Sequence, residues 1–164
     1  MSQFWGTHHN KRDSKGRVSI PASFRAELKN HADANGPLKI VLRASHTQAC
    51  IEAWPPSEFA RFSTLLDGLG PLSNDYEDLS IAIHATALRV ECDAEGRIVI
   101  PEKLVQHAGL GDLVTFLGLG RSFQVWEPAA AERRTNEALA RARNHHLAVP
   151  PAAAANAPRP GMPG

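Results

Sequence analysis

An aspartate and an arginine stand four positions apart, with a glycine just before the arginine, at two places in the chain. Residues 13–17 read DSKGR and residues 93–97 read DAEGR. In such a turn the carboxylate accepts hydrogen bonds from backbone N–H groups and holds the guanidinium in one orientation. An oriented guanidinium contacts phosphate or pairs with a guanine edge in the major groove. The spacing alone therefore leaves two interpretations open: a turn that is only closed by a salt bridge, which the spacing favours, and a site at which the arginine contacts nucleic acid.

The two loops differ in charge. Residues 11–17 carry four basic side chains and one acid, for a charge of +3, whereas residues 91–97 carry three acids and one arginine, for −2. Because phosphate contacts supply most non-specific affinity for nucleic acid, the first loop is predicted to face DNA. Arg97 is predicted to be structural or to contribute little. The candidate DNA-binding residues are Lys11, Arg12, Asp13 (which orients Arg17), Lys15, Arg17 and, as the weakest candidate, Arg97.

Other interpretations of the basic side chains stay open at this point. The two lysines and Arg12 also suit an ordinary solvated basic patch. Arg25 and Lys29 follow on a predicted helix, where a solvated face is the expected role.

Each loop opens a longer repeat. Residues 13–21 read DSKGRVSIP and residues 93–101 read DAEGRIVIP, identical at five of nine positions and offset by 80. A repeat of this kind indicates a fold built from two copies of one small unit. A unit of roughly 50 residues buries too little surface to be stable alone. The copies are therefore expected to pack on one another or on other chains.

The elements around each loop follow the same order in both copies. Alternating polar and apolar residues after the loop predict a short strand. Pro21 and Pro101 then fit the first turn of a helix, and Gly109 is expected to end the second of these helices. Two further strands are predicted in each copy, at 38–42 and 49–53 in the first and at 113–117 and 123–126 in the second.

The segment between the copies is predicted to be helical. One helix is expected to end at Gly68 and Gly70, and a second is expected to start at Asn74, with Glu77 completing a capping box, and to run to about residue 85. A further helix is predicted at 129–146, followed by a Pro/Ala/Gly-rich tail expected to be disordered. Four apolar side chains of the first helix are predicted to pack in the core or an interface: Phe59, Phe62, Leu65 and Leu66.

Several classes of function find no support in the sequence. Cys50 and Cys92 lack a C-x-x-C spacing and are expected to be buried apolar residues, and the adjacent His8 and His9 diverge too far to chelate a metal. The chain has no G-x-S-x-G, Walker A or H-E-x-x-H motif and no long apolar run. We therefore expect a protein that is not an enzyme and has no cofactor, metal or small-molecule substrate. Because the N-terminus also lacks the apolar core of a signal peptide, we expect no membrane association and a cytoplasmic location.

The chain resembles the MraZ family of bacterial transcriptional regulators, which carry tandem SpoVT-AbrB-like domains. The resemblance spans residues 4–128 and rests on Phe4 and Gly6, on the run DSKGRVSIPASFRAEL, and on ECDAEGRIVIPEKLVQHAGLGDLVTFLGLGRSFQVWEP. One departure is Arg12, which stands where the family often has an aliphatic residue. Two consequences of Arg12 stay open, a loosened barrel edge or an added phosphate contact.

The resemblance implies an α+β, mainly β fold. Two tandem β-α-β-β AbrB-like units would form a swapped-hairpin, double-psi-like barrel, with connecting and C-terminal helices. The implied division of the chain is unit 1 at 4–54, a helical connection at 55–85, unit 2 at 86–128, a C-terminal helix at 129–147 and a disordered tail at 148–164.

The resemblance also implies a function. The family's Asp-x-x-x-Arg DNA-contacting motif falls on residues 13–17 and 93–97. A ring-shaped homo-oligomer would bind double-stranded DNA at direct repeats upstream of the division and cell-wall gene cluster, including its own gene, in the cytoplasm at the nucleoid. The alternative is a non-enzymatic oligomeric scaffold or an antitoxin-like interaction module of the same fold.

Overall fold

A computed structural model of the protein describes residues 3–32 and 35–149. The fold is α+β, as predicted, and is organised around a large antiparallel sheet. The strands of the described residues are β1 (Thr7–Lys11), β2 (Arg17–Ser19), β3 (Lys39–Ala44), β4 (Ile51–Trp54), β5 (Leu88–Glu91), β6 (Arg97–Val99), β7 (Leu113–Gly118) and β8 (Phe123–Trp126). The helices are α1 (Ala22–Asn30), α2 (Pro56–Phe59), α3 (Arg61–Asp67), α4 (Asn74–Ser80), α5 (Glu102–Ala108) and α6 (Pro128–Ala142).

Strands of the two copies are interleaved. The larger sheet has the order β1-β7-β8-β4-β3-β5, and β2 pairs with β6 in a separate two-stranded sheet. The pairs β1–β7, β3–β5, β4–β8 and β2–β6 each join a strand of the first copy to a strand of the second. The two copies therefore fold together, which confirms the expectation that they pack on one another.

The core lies under the β2–β6 pair. Val18 and Ile98, which face each other in this pair, are 1% and 2% exposed, and the isoleucines that follow each strand are buried as well. Phe24 of α1 packs beneath them, with its ring centroid 4.9 Å from that of Phe123. Each fully buried side chain of this size contributes about 1.5–3 kcal/mol. The core thus fixes the strands from which both loops project.

The helix after each loop begins one residue later than predicted. Pro21 and Pro101 are the N-cap residues of α1 and α5 rather than members of their first turns. Gly109 ends α5 in the left-handed conformation, at φ 61°, as its position predicted. The amide of Leu110 then donates to the carbonyl of Val105 at 3.0 Å, which folds the chain back over the helix end.

The connection between the copies differs from the sequence prediction in three details. The first helix is broken at Ala60 into α2 and α3. Leu66 is buried, whereas Leu65 is 70% exposed, so of the two predicted roles, core and interface, Leu65 does not take the core one. The second helix begins at Asn74 as predicted, but its cap is Ser73, whose hydroxyl accepts the amide of Tyr76 at 3.0 Å, so the predicted capping box is wrong. This helix, α4, continues as a π-helical turn over Ile81–Ala85.

The described residues divide into two compact units between Glu132 and Arg133. The helix predicted at 129–146 is found as α6, which ends at Ala142, four residues earlier than predicted. Of the tail predicted to be disordered, residues 150–164 lie outside the described residues. No helix in the described part of the chain combines the length and apolar character needed to cross a membrane.

Candidate nucleic-acid interface

The first loop, residues 13–17, is a tight turn between β1 and β2. The amide of Gly16 donates to the carbonyl of Asp13 at 2.9 Å, and the amide of Asp13 donates to the carbonyl of Arg17 at 2.9 Å. Gly16 has a φ of 77°, which is costly for any residue with a Cβ. The glycine of the motif therefore sets the turn that brings Asp13 and Arg17 together.

The carboxylate of Asp13 organises this loop. Its Oδ1 accepts the amides of Lys15 at 2.9 Å and Arg17 at 2.8 Å, and its Oδ2 accepts the Nε–H of Arg17 at 2.7 Å. The backbone hydrogen bond from Arg17, followed by the weaker side-chain one, lowers the pKa of Asp13 below its ordinary value. Asp13 thus stays charged and holds Arg17 in one orientation, which is the geometry expected from the sequence.

Arg17 is fixed at one nitrogen and open at the others. Its side chain is 32% exposed, and among the described residues no hydrogen bond or ion pair is recorded for its two terminal nitrogens. Lys11 and Lys15 are exposed beside it. A guanidinium held through Nε presents its terminal N–H groups as a fork for an incoming anion.

Arg12 differs from the other basic side chains of the first loop. It is half-buried, and its Nε is buried without a hydrogen-bond partner among the described residues. Its backbone amide donates to the carbonyl of Asp112 at 2.5 Å, and both residues line a surface depression with Lys11, Asp13 and Ser14. The side chain of Arg12 is therefore presented to solvent less fully than those of Lys11 and Lys15.

The second loop, residues 93–97, repeats this geometry. Asp93 Oδ1 accepts the amides of Glu95 and Arg97, both at 2.9 Å, and Oδ2 accepts the Nε–H of Arg97 at 2.8 Å. In addition, Nη2 of Arg97 forms an ion pair with Oε2 of Glu95. The side-chain hydrogen bond to Asp93, together with the charges of both acids, raises the pKa of Arg97. The backbone hydrogen bond from Arg97 lowers the pKa of Asp93.

Arg25 of α1 lies over the second loop. Its Nη1 donates to the carbonyl of Ile20 at 2.7 Å, and a Cβ placed on Gly96 would overlap its Cδ. The expectation that Arg25 belongs to a solvated helix face is therefore wrong, because the missing side chain of Gly96 makes room for it. Lys29 is exposed as expected, and it lines the same groove as Arg25.

Both motif arginines lie on the outer face of the β2–β6 ribbon. Val18 pairs with Ile98, its equivalent 80 positions later, so a local two-fold relates the two strands. Since side chains alternate along a strand, the inward Val18 and Ile98 place their neighbours on the opposite face. The residues on that outer face are Arg17, Ser19, Arg97 and Val99.

Sequence reasoning did not single out Ser19 or Val99, which lie between the two arginines on the ribbon. It also missed Asn10, whose Nδ2 donates to the carbonyl of Ser19 at 2.6 Å and ties β1 to β2. Alternation in the sequence placed Ser19 on the same side as Arg17. Only the pairing of β2 with β6, which the sequence pattern did not reveal, brings Val99 alongside.

The remaining chemistry-bearing residues do not form a second centre in the described part of the chain. Cys50 and Cys92 form no disulfide among the described residues and are buried, as expected, and burial raises the pKa of Cys92 to about 11. No cluster of three or more histidine, cysteine or acidic side chains suited to a metal ion occurs among the described residues.

Comparison with known proteins relates the chain to one family. The family model described as "MraZ protein, putative antitoxin-like" matches residues 3–69 and 83–148, one segment for each copy of the repeat. A relative named Transcriptional regulator MraZ from Gluconacetobacter diazotrophicus is 53% identical over 150 residues, covering 92% of this chain and 93% of the relative. Relatives of the same name are 51% identical over 154 residues in Gluconobacter oxydans (94% of this chain, 93% of the relative) and 37% over 130 residues in Pelagibacter ubique (79% and 81%). The chain therefore belongs to the MraZ family, as the residues that carry the resemblance predicted.

Proposed function

We propose that this protein is a sequence-specific DNA-binding transcriptional regulator that carries out no reaction and needs no cofactor or small-molecule substrate. The relatives named as transcriptional regulators support this class of function and a protein that is not an enzyme. The observation that carries the proposal is the hydrogen bonding of the Arg17 guanidinium. Its Nε is held by Asp13, while its terminal nitrogens stand open in a loop of charge +3.

The first loop provides two kinds of DNA contact. The terminal N–H groups of Arg17 match a phosphate or the O6 and N7 atoms of guanine, which accept a bidentate arginine. The exposed Lys11 and Lys15 suit phosphates on either side, and the partly exposed side chain of Arg12 is a further candidate contact beside them. Phosphate contacts position the protein, and a base contact by Arg17 supplies specificity.

We further propose that the chain acts as a ring-shaped homo-oligomer. One loop per chain is a weak binder, and linking several loops raises the effective affinity by roughly 10²–10⁴ where the spacing of the DNA sites matches. Direct repeats upstream of the division and cell-wall gene cluster, including the protein's own gene, would offer such spacing. The protein would then act in the cytoplasm at the nucleoid.

The swapped-hairpin, double-psi-like barrel remains a proposal for the two units at 4–54 and 86–128, with the helical connection at 55–85. Its support is the pairing of strands between the copies, above all β1 with β7 and β2 with β6. This interleaving would hold the two loops at opposite ends of one rigid ribbon.

Footprinting on the DNA immediately upstream of the protein's own gene tests the proposed function. We expect protection of a short repeated sequence and an affinity that falls steeply with salt, because lysine and arginine displace counterions from phosphates. If no salt concentration gives protection of the upstream DNA, the proposal is contradicted.

The second candidate function is a scaffold or antitoxin-like interaction module. The wording of the matched family description favours this candidate. A protein that uses its fold only for assembly would bind the upstream DNA no better than an unrelated duplex and would show no steep salt dependence.

A further inference from the structure

The two loops are equivalent in their internal geometry. In each loop one aspartate oxygen accepts two backbone amides at 2.8–2.9 Å, and the other accepts the arginine Nε–H, at 2.7 Å in the first loop and 2.8 Å in the second. Gly16 and Gly96 have φ values of 77° and 79°. The scaffold that presents an arginine to solvent is therefore built twice in each chain.

The loops differ at the residue two places after the aspartate. This residue is Lys15 in the first loop and Glu95 in the second. The side chain of Glu95 is 69% exposed and returns to the loop, where Oε2 pairs with Nη2 of Arg97. The terminal nitrogen that Arg17 leaves open is thus occupied by a carboxylate in the second loop.

The surroundings of the second loop are not acidic throughout. Arg25 and Lys29 of α1 line a groove with Cys92, Asp93 and Glu95. Arg25 is half-buried against Gly96, and Lys29 is exposed. Arg25 and Lys29 therefore offset the charge of −2 that residues 91–97 carry, so that loss of the Glu95 charge would leave this surface net positive.

From these contacts we infer that Glu95 closes a second DNA-binding loop by occupying the arginine fork that a phosphate would take. The inference rests on the proposed function, since it assumes that the first loop binds DNA. An exposed ion pair of this kind is worth little to stability, so its main effect is on what Arg97 is able to contact. Each chain would then carry one open loop and one closed loop on the same ribbon.

The test compares variants of the full chain on a labelled duplex from upstream of its own gene. Glu95→Gln removes the charge that pairs with Arg97, and Glu91→Gln makes the same charge change in the same segment at a residue with no recorded contact to Arg97. We expect Glu95→Gln to bind the duplex on the order of 3- to 10-fold more tightly than the unaltered protein does. The control Glu91→Gln should bind with nearly the affinity of the unaltered protein. Glu95→Lys is expected to steepen the salt dependence by about one phosphate contact per engaged loop.

A second comparison asks whether the gain in affinity of Glu95→Gln depends on Arg97. Such a dependence distinguishes a DNA contact by Arg97 from a general effect of the changed charge. In the Glu95→Gln background, Arg97→Ala should abolish the gain, whereas Arg97→Ala alone should change little. Thermal unfolding of each variant identifies any loss of folded protein.

The possible failures are distinguishable. The inference is wrong, and the proposed function stands, if the unaltered protein binds the duplex and Glu95→Gln gains no affinity over it. The same holds if Glu95→Gln binds no more tightly than Glu91→Gln. If neither the unaltered protein nor any Glu95 variant binds the duplex in a salt-dependent way, the proposed function fails and the inference falls with it.

Discussion

Arg17 and Arg97 lie diagonally across the outer face of one two-stranded ribbon, because Arg17 pairs with Val99 and Arg97 pairs with Ser19. Diagonal neighbours on a sheet face are about 7–8 Å apart. The charge of Asp13 contributes to the raised pKa of Arg97, which places the two loops within electrostatic reach of each other. The duplicated motif thus forms one surface whose two ends are chemically different.

Replacing Lys15 with alanine tests the role of phosphate contacts in the first loop. Lys15 is exposed and is expected to neutralise a phosphate without reading a base. The slope of log Kd against log salt should become shallower by about one for each loop engaged, and the preference for the upstream duplex over an unrelated one should stay constant. Fluorescence anisotropy at several salt concentrations measures both quantities. A loss of sequence preference with an unchanged slope would contradict the assignment.

Replacing Asp13 with asparagine tests whether orientation of Arg17 supplies specificity. The amide oxygen still accepts backbone amides, but the charged partner of Nε is lost. The charge of residues 11–17 rises from +3 to +4, so binding to unrelated DNA should strengthen slightly while the ratio of specific to non-specific affinity falls. Asp93→Asn is the matched control, and we expect it to leave the ratio unchanged. An unaltered ratio in Asp13→Asn would show that orientation is unimportant.

The lowered pKa of Asp13 gives a prediction in pH. A carboxyl group whose pKa is lower in the folded state stabilises the fold above its ordinary value of 3.8, and that contribution is lost as the pH falls through the lowered folded pKa. The loop should therefore keep its geometry at every pH above 3.8. NMR titration of the Asp13 carboxyl carbon should show a midpoint below 3.8. A midpoint at or above this value would mean that the hydrogen bonds to the Arg17 and Lys15 amides do not persist in solution.

Alanine substitutions at Gly16 and Gly96 allow a matched comparison of the free energy of unfolding. Both have positive φ, so alanine at either position costs about 1–2 kcal/mol. A Cβ at Gly16 meets open space, whereas one at Gly96 overlaps Arg25 and displaces the hydrogen bond to Ile20, which adds about 1 kcal/mol. Urea unfolding should show Gly96→Ala to be the less stable variant. Equal stabilities would indicate that Arg25 does not pack over the second loop.

The buried thiol of Cys92 should be unreactive in the folded protein. Burial, the largest cause, raises its pKa from 9.0 to about 11, so little thiolate forms at neutral pH. Its contribution to stability is fully present below pH 9.0 and is lost as the pH rises through about 11. Labelling with a thiol reagent at pH 8 should proceed only after unfolding. Rapid labelling of the folded chain at Cys92 would contradict the burial seen here.

Local features of the fold follow from the sequence, and non-local ones do not. The alternation around Val18 and Ile98 indicated which side chains face the core, and Gly109 marked the end of α5. Their pairing across 80 positions could not be read from either segment alone, since register depends on contacts distant in sequence. The packing of Arg25 was missed for the same reason, because its partner Gly96 belongs to the other copy.

The residues of the candidate site could be predicted from the sequence, but some of their contacts could not. The spacing of Asp13 and Arg17 predicted their hydrogen bond, and the opposite charges of the two loops predicted that they differ in their affinity for DNA. The ion pair between Glu95 and Arg97 depends on a rotamer of an exposed side chain, which no spacing rule fixes. The sequence thus indicated that the second loop is acidic, and the structure adds how the acid is used.

The most direct test of the account is the affinity of the Arg17→Ala variant for the DNA upstream of its own gene, measured by gel shift beside the unaltered protein. If Arg17 reads a base, its loss should cost on the order of 1–3 kcal/mol per engaged loop and abolish the preference over unrelated DNA. Circular dichroism should show that the variant is folded. An Arg17→Ala protein that binds the upstream DNA with unchanged affinity and preference would contradict the central claim.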